Sequence, residues 1–415
     1  MRIPDRRFVT STFILGVGML VAQVISFGIS PVLTRLYVPE GFGTLAVFMS
    51  VVNIIGVVAT GRYELAVMLP ADDEEAINIV QLSIFTLMLT TLLMWGILFM
   101  GVKVIPFVRR WQLPNAVIHL MPAGIFSLGV YNTYSYMILR KKYIKQLSIS
   151  HVVRSSVTAA TQTVGGLCRF VIGLPIGVAI GYFVAALYLR RLINPRIGFK
   201  MKLHDIKRLA KRYRKFPTYS TASILLNTVA RESPSILLAY LWGTQVAGFY
   251  YLGQRVIGMP LTLACSTIGR IFLQRAAEEQ RATGTATRSL RETLRFVGLL
   301  SVIPFPLLMI FAPRFFAVVF GTEWYTAGIF ARVLVPLWWI RFIVVPITTV
   351  FEVFQRQEMT TVWNLCLCIT TFGCFLLGKY FCQDTVWVLG LFAGVQTLLY
   401  IGLLVMALRV ARCQT

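Results

Sequence analysis

Acid is what this sequence most lacks. Its 415 residues hold 16 Asp and Glu against 40 Lys and Arg, a net charge of +24. Charged residues of all kinds reach only 13%, about half of the roughly 25% usual in soluble domains. Histidine is nearly absent: His119, His151 and His204 are scattered. His151 falls in an apolar stretch, where a packed or interfacial ring is the simpler reading than a titrating one. The seven cysteines lie mostly within apolar runs and show no zinc spacing. They read as small apolar residues of a packed bundle, with no metal site and no disulfide expected, even for Cys168 and Cys382 near one face. No G-x-x-x-x-G-K-[ST] loop, H-E-x-x-H or G-x-S-x-G occurs, nor any selectivity-filter sequence. These absences argue against a self-powered pump, a zinc protease, a serine hydrolase and an ion channel. A non-enzymatic secondary transporter is what remains.

What is abundant is apolar length. Hydrophobic residues make up 57% of the chain, and about 20 of them in a row suffice to cross a bilayer as a helix. Twelve such stretches run approximately over 10–35, 43–69, 79–102, 115–138, 147–168, 171–191, 217–241, 246–271, 293–313, 326–353, 359–378 and 385–408. The expected fold is therefore all-α and polytopic, with twelve transmembrane helices. The first stretch follows Arg2, Arg6 and Arg7 like a signal peptide, but it is too long and has no A-x-A site, so it reads as an uncleaved first span.

Basic residues set the orientation. With the N-terminus inside, 26 of the 40 Lys and Arg fall in inner segments and seven in outer ones, among them Lys103, Arg109 and Arg110. That is a strong positive-inside bias. It places both termini in the cytoplasm, and the basic loops face anionic lipid headgroups, so nucleic acid is not needed as a partner. The longest inner segment, 194–216, carries Lys200, Lys202, Lys207, Arg208, Lys211, Arg212, Arg214 and Lys215. It is either a plain topological anchor or an amphipathic helix with Leu203, Ile206, Leu209 and Tyr213 toward lipid. It divides the chain into an N-terminal lobe, 1–193, and a C-terminal lobe, 217–415, each of six spans. An echo of Pro39-Glu40-Gly41-Phe42-Gly43 in Val246-Ala247-Gly248-Phe249-Tyr250 supports parallel repeats around a central cavity.

The informative residues are charges inside spans: Arg62, Glu64, Arg154, Arg231, Glu232, Arg255, Arg332, Arg341 and Glu352. An arginine at a helix centre costs about 2.5 to 3.5 kcal/mol when lipid-exposed. Arg231, Arg255 and Arg341 lie nearest the centres, so they need a wet cavity or carboxylate partners. Ion pairing is the plainer reading, and Glu232 with Arg255 is one possible pair across helices. Arg62 with Glu64 and Arg231 with Glu232 are two and one residues apart, so the members of each pair do not face each other on a helix. There are too few acids for every arginine. An arginine cluster in water is an anion site, and guanidinium suits phosphate. An alternative for Arg332 is to reach outward, and Glu352 lies near the inner interface. Of the prolines in spans, Pro234 follows Arg231-Glu232 and is the expected hinge beside the site.

Several motifs resemble one family. They include Thr34 to Gly43, Gly61-Arg62-Tyr63-Glu64-Leu65-Ala66-Val67-Met68-Leu69-Pro70 with Asp72-Asp73-Glu74-Glu75-Ala76, Asn227 to Leu238, Arg255-Val256-Ile257-Gly258-Met259-Pro260 and Arg275-Ala276-Ala277-Glu278. The resemblance spans the whole chain and is to bacterial Wzx-type polysaccharide-unit flippases, of the multidrug/oligosaccharidyl-lipid/polysaccharide exporter superfamily. It implies two six-helix lobes and alternating access. The implied cargo is an undecaprenyl-pyrophosphate-linked oligosaccharide turned from the inner to the outer leaflet of the bacterial inner membrane, for O-antigen or capsular polysaccharide. It also implies proton or sodium coupling, or none, with Glu64 and Glu232 as candidate coupling carboxylates, and polymerase and chain-length proteins as partners. Arg62, Arg154, Arg231, Arg255 and Arg341 would line the pyrophosphate path. The acidic run Asp72 to Glu75 reads as a solvated cap of the third span. A cation-coupled multidrug exporter of the same superfamily is the alternative, although a cavity for drug cations would want acids. A membrane scaffold would leave the arginines unexplained, and a sugar polymerase would need large outer loops.

Overall fold

The computed structural model describes residues 6–104, 113–193, 203–214, 216–217, 221–382 and 384–412. Arg2, Arg109, Arg110, Asn194, Lys200, Lys202 and Lys215 lie outside the described residues, as do the side chains of Arg6, Arg7, Lys103, Leu203 and His204. The described residues are mostly helical and contain no strand. Each of the twelve apolar stretches coincides with a helix or a run of helices. Nine of these runs are long and apolar enough to cross a membrane by length and composition. The helices over 115–140, 144–167 and 221–242 are as long but more polar. They carry the hydroxyls and charges considered below.

The chain packs as two compact units, Met1–Thr228 and Val229–Thr415. In the first, α1 (Arg6–Gly28), α2 (Ser30–Leu36), α3 (Pro39–Ala59), α4 (Tyr63–Ala66), α5 (Asp73–Val104), α6 (Asn115–Arg140), α7 (Ile144–Leu167), α8 (Gly173–Leu192) and α9 (Leu203–Arg212) follow in order. Small residues bring α7 and α8 together. A Cβ on Gly181 would stand 2.0 Å from the Thr158 hydroxyl and 2.9 Å from the Arg154 carbonyl. Such close approach is how helices associate where lipid removes the hydrophobic drive. α10 (Thr221–Trp242) runs across the division at Thr228, and the second unit continues with α11 (Thr244–Gly253), α12 (Met259–Thr283), α13 (Thr287–Ser301), α14 (Pro304–Phe320), α15 (Tyr325–Val344), α16 (Val350–Val353), α17 (Gln357–Phe381) and α18 (Thr385–Arg412). Pro39 to Gly43 opens α3, and Val246 to Tyr250 lies early in α11. Each of the two echoing motifs thus lies at or near the start of a helix.

Segments assigned to one side of the membrane meet. Arg140, at the end of α6, donates to the carbonyls of Val67, Pro70 and Ala71 and to Asp73 at the start of α5. Arg212 pairs with Glu75 at 2.7 Å, and the Tyr213 hydroxyl donates to the same carboxylate at 3.2 Å. Burial, then the neighbouring Glu75 charge, raises the Tyr213 phenol above its ordinary pKa. Leu209 and Tyr213 are buried, and α9 packs on α5. The expectation that they face lipid is corrected, because their apolar face is covered by the protein's own third span. In the second unit, Glu279 accepts from the amides of Arg288 and Ser289 and so caps α13. The Ala286 amide and the Thr287 hydroxyl donate to the Ala411 carbonyl at the end of α18. At the opposite end, the Lys379 ammonium lies 4.9 Å over the Trp242 ring. The acidic run behaves as a cap: Asp72 accepts from the Glu74 amide, and Asp73, Glu74 and Glu75 occupy the first turn of α5. Cys168 and Cys382 are free thiols.

Arg140 holds three carbonyls and a carboxylate with one planar fork. Arg140→Ala is therefore expected to destabilise the purified protein by about 1–3 kcal/mol, because the carbonyls of Val67 and Pro70 are left unpaired. Arg140→Lys should recover less than half of that loss. Thermal unfolding in detergent measures both; an unchanged melting temperature for Arg140→Ala would show that the turn does not depend on it.

Candidate functional site

The in-span charges separate into three environments, and each follows from a local departure or regularity in the helices. The first is a break. After Ala59 the chain passes through Gly61 and Arg62, with φ of +61° and +59°. Two successive left-handed residues end α3 and start α4. Across this break, an Arg62 Nη lies 3.7 Å from a Glu64 carboxylate oxygen, and the Thr60 hydroxyl donates to the other oxygen at 2.5 Å. Glu64 is buried. The expectation that these two charges cannot face each other is thus corrected. It assumed a continuous helix, and the left-handed turn removes that premise.

The second environment is aromatic. Arg154, on α7, donates to the Tyr182 hydroxyl at 3.0 Å. Its guanidinium carbon lies 5.0 Å from the centre of the Tyr182 ring and 5.8 Å from that of Tyr131. The Tyr131 hydroxyl is within hydrogen-bond distance of Ser150 and of Nδ1 of His151. Among the described residues Arg154 has no ion pair. Two tyrosine faces replace the carboxylate as its counter-charge, a solution open to arginine because its charge is delocalised and weakly hydrated.

The third is a cavity within the C-terminal unit, of about 40 Å³, with Arg231 and Arg341 in its wall. A cavity of that size has room for about two or three waters. Its other lining includes Ala230, Pro234, Tyr250, Gln254, Trp338, Gln396 and Tyr400, with no acidic residue. Arg341 lies 5.7 Å over the Tyr400 ring. Gln396 is buried and donates to the Thr371 hydroxyl at 2.9 Å. Among the described residues neither Arg231 nor Arg341 has a carboxylate within 4.0 Å. Arg341 thus has an aromatic face in place of a contacting carboxylate, and Glu232 acts electrostatically on Tyr250 in the same wall without pairing with either arginine.

The remaining candidates are placed elsewhere. Glu232 is half-buried and Arg255 buried, and both are engaged in interactions of their own. Arg255 is adjacent to the cavity residue Gln254 and is not itself in the wall. Arg332 and Glu352 are exposed. The hinge expectation also shifts. α10 stays helical from Thr221 to Trp242 with Pro234 inside it. Pro234 cannot donate to the Ala230 carbonyl, and both residues line the cavity. The α-helical pattern is lost instead over Gln254–Gly258, a π-helical turn ending just before Pro260, and over Val345–Thr349, a 3₁₀ turn that holds Pro346. A proline removes one rung of the hydrogen-bond ladder, and the chain adjusts in the preceding turn. Sequence reasoning missed Tyr250, Gln254, Trp338, Gln396 and Tyr400, which resemble ordinary packing residues until the fold turns them toward the arginines.

A sequence model of the family described as "Polysaccharide biosynthesis protein" matches residues 32–328. No curated protein matches the chain by sequence. Among solved structures, the lipid II flippase MurJ in an inward closed conformation aligns over 98% of this chain and 88% of its own, at 11% identity and a TM-score of 0.71. An inward-facing multidrug resistance MATE family transporter of the MOP superfamily aligns over 95% and 94%, at 12% identity and a TM-score of 0.62. A MOP superfamily transporter from Pyrococcus furiosus, described by a binding pocket of reverse polarity, aligns over 96% and 95%, at 12% identity and a TM-score of 0.57. At such identities the likeness is one of fold. The chain belongs to the polysaccharide biosynthesis protein family and is a multi-pass, all-α membrane protein with the fold of the MOP superfamily transporters.

Proposed function

We propose that this protein flips undecaprenyl-pyrophosphate-linked oligosaccharide units from the inner to the outer leaflet of the bacterial inner membrane by alternating access, supplying O-antigen or capsular polysaccharide assembly. The observation that carries this reading is the meeting of Arg231 and Arg341 in one cavity whose lining holds no acid. A lipid-linked pyrophosphate must cross an apolar core with its charge intact. Paired guanidinium forks in a wet pocket answer that need, because they match phosphate oxygens by geometry as well as by charge. Flipping is movement rather than chemistry, and the fold neighbours are transporters and a flippase by name. The MATE neighbours raise a multidrug exporter as the second reading, but a cationic cargo would meet two arginines in this cavity. Both termini are placed in the cytoplasm, on the strength of the basic inner loops. Polymerase and chain-length proteins are the partners this role implies.

Arg62, Arg154 and Arg255 belong to the same proposed path as secondary contacts, with Pro234 shaping the cavity wall. Glu64 is the carboxylate we propose for proton or sodium coupling, because it is buried, bound by Thr60 and balanced by one arginine. Glu232 is the second candidate.

Complementation of a flippase-deficient strain tests the path. Arg231→Ala and Arg341→Ala should each reduce surface polysaccharide at least about tenfold, the loss expected when one charge-assisted bond to the cargo is removed, at unchanged membrane levels. The Lys variants should retain part of the activity. If both Ala variants export normally, the cavity is structural. Coupling is tested in proteoliposomes. Glu64→Gln should abolish the response of lipid-linked sugar translocation to an imposed proton or sodium gradient and leave basal movement. Thr60→Ala should keep the response. A Glu64→Gln protein that still responds would make this carboxylate only a partner for Arg62.

A further inference from the structure

The N-terminal unit contains a larger cavity, about 170 Å³, which the proposed path does not use. Both α5 and α8 pack on α6, and the cavity is lined from all three helices. Its polar groups gather at one end. Gln81, Tyr134 and Arg190 line that end, and the Arg190 guanidinium donates to the Tyr134 hydroxyl at 3.0 Å. Met88, Phe126 and Phe183 line it seven or eight residues further along their helices. At 1.5 Å per residue the apolar part therefore extends about 10–12 Å from the polar end. The end of α6 is fastened to the start of α5 through Arg140 and Asp73. The polar end thus lies toward that junction, on the side that carries Lys141, Lys142 and Arg191.

Arg190 is exposed and has no ion pair among the described residues. Phe183 and Leu187 in the wall are also exposed, so the cavity opens sideways. One cation above a sideways-opening apolar slot matches an amphiphile with one anionic phosphate and a hydrocarbon chain.

We propose that this crevice is a binding site for an anionic membrane phospholipid, with the headgroup phosphate on Arg190 and Tyr134 and an acyl chain along Met88, Phe126 and Phe183. A single guanidinium balances the single charge of a phosphodiester, whereas a pyrophosphate would call for more. In the orientation proposed above, the basic helix ends around it face the leaflet richest in such lipids. The site is separate from the Arg231–Arg341 cavity and does not rest on the flippase reading.

Native mass spectrometry of the detergent-purified full chain tests this, with dioleoyl-phosphatidylglycerol and dioleoyl-phosphatidylcholine titrated in turn. Wild type should bind one phosphatidylglycerol about tenfold more tightly than phosphatidylcholine, whose choline cation neutralises its phosphate and is repelled by Arg190. Arg190→Gln should erase that preference and Arg190→Lys retain part of it. Ala186→Phe, which fills the slot, should release both lipids, while the melting temperature without added lipid reports whether each variant is folded. Inorganic phosphate at millimolar concentration should not displace the lipid, because it lacks the chain. The proposal is overturned by equal binding of the two lipids to wild type, by an unchanged preference in Arg190→Gln, or by displacement with inorganic phosphate. It is also overturned if farnesyl pyrophosphate displaces the lipid at lower concentration than phosphatidylglycerol itself, since the slot would then select prenyl pyrophosphates.

Discussion

A guanidinium inside a hydrocarbon layer must bring its own solvent, and much of this structure follows from that requirement. Arginine stays charged in any protein environment, so it cannot escape by losing a proton as a buried lysine can. The protein meets the demand with three different substitutes for water. Arg62 takes a carboxylate, Arg154 takes two tyrosine faces, and Arg231 and Arg341 take a small cavity with aromatic and amide walls. The first leaves no net charge at its site. The other two leave a positive charge in place.

The backbone yields where these substitutes could not otherwise be reached. On an unbroken helix, residues two apart point away from each other, and Glu64 could not serve Arg62. Left-handed Gly61 and Arg62 turn the chain so that it can. A Cβ at Gly61 would also approach the Tyr63 ring to 2.9 Å, so glycine is required there twice over. In the C-terminal unit the π turn at Gln254–Gly258 places Gln254 in the cavity wall, and Pro234 releases a carbonyl in a helix that also lines it. Irregular backbone at membrane depth is tolerated where it borders protein or water. These departures therefore mark the same places as the charges.

The helices were legible because a span announces itself by length: each of the twelve apolar stretches, from 10–35 to 385–408, coincides with a helix or a run of helices. That the segments of Glu75, Arg140 and Arg212 share one side was legible too, since they converge at one end of the N-terminal unit. What was not legible was local. Gly61-Arg62 gave no warning that a span would break there, because one glycine in an apolar run is common. Leu209 and Tyr213 have the spacing of a lipid-facing stripe, and nothing in that spacing tells lipid from a neighbouring helix. Tyr182 is one of 16 tyrosines, and only its packing against α7 makes it the partner of Arg154. Arg190 closes an apolar helix, and its place in a cavity depends on α5 and α6.

The scarcity of acid then acquires a structural meaning. With 16 carboxylates for 40 basic residues, a bundle could still neutralise its in-span arginines by spending acids there. Instead, several of the acids stand at helix ends: Asp73 and Glu75 fasten α6 and α9 to α5, and Glu279 caps α13. Of the in-span acids, Glu64 is held by Arg62 and Thr60, and Glu232 lies outside the cavity wall. Carboxylates are thus used to secure the ends of helices, and among the described residues two arginines in the C-terminal unit are left with no carboxylate within 4.0 Å. Retaining a positive charge at membrane depth is costly, and a leucine at either position would meet a wall that already holds Leu334 and Leu337. Stability alone gives no reason to keep both cations in one small cavity. An anionic ligand that enters and leaves does, because a permanent internal carboxylate would compete with it for the same guanidinium groups.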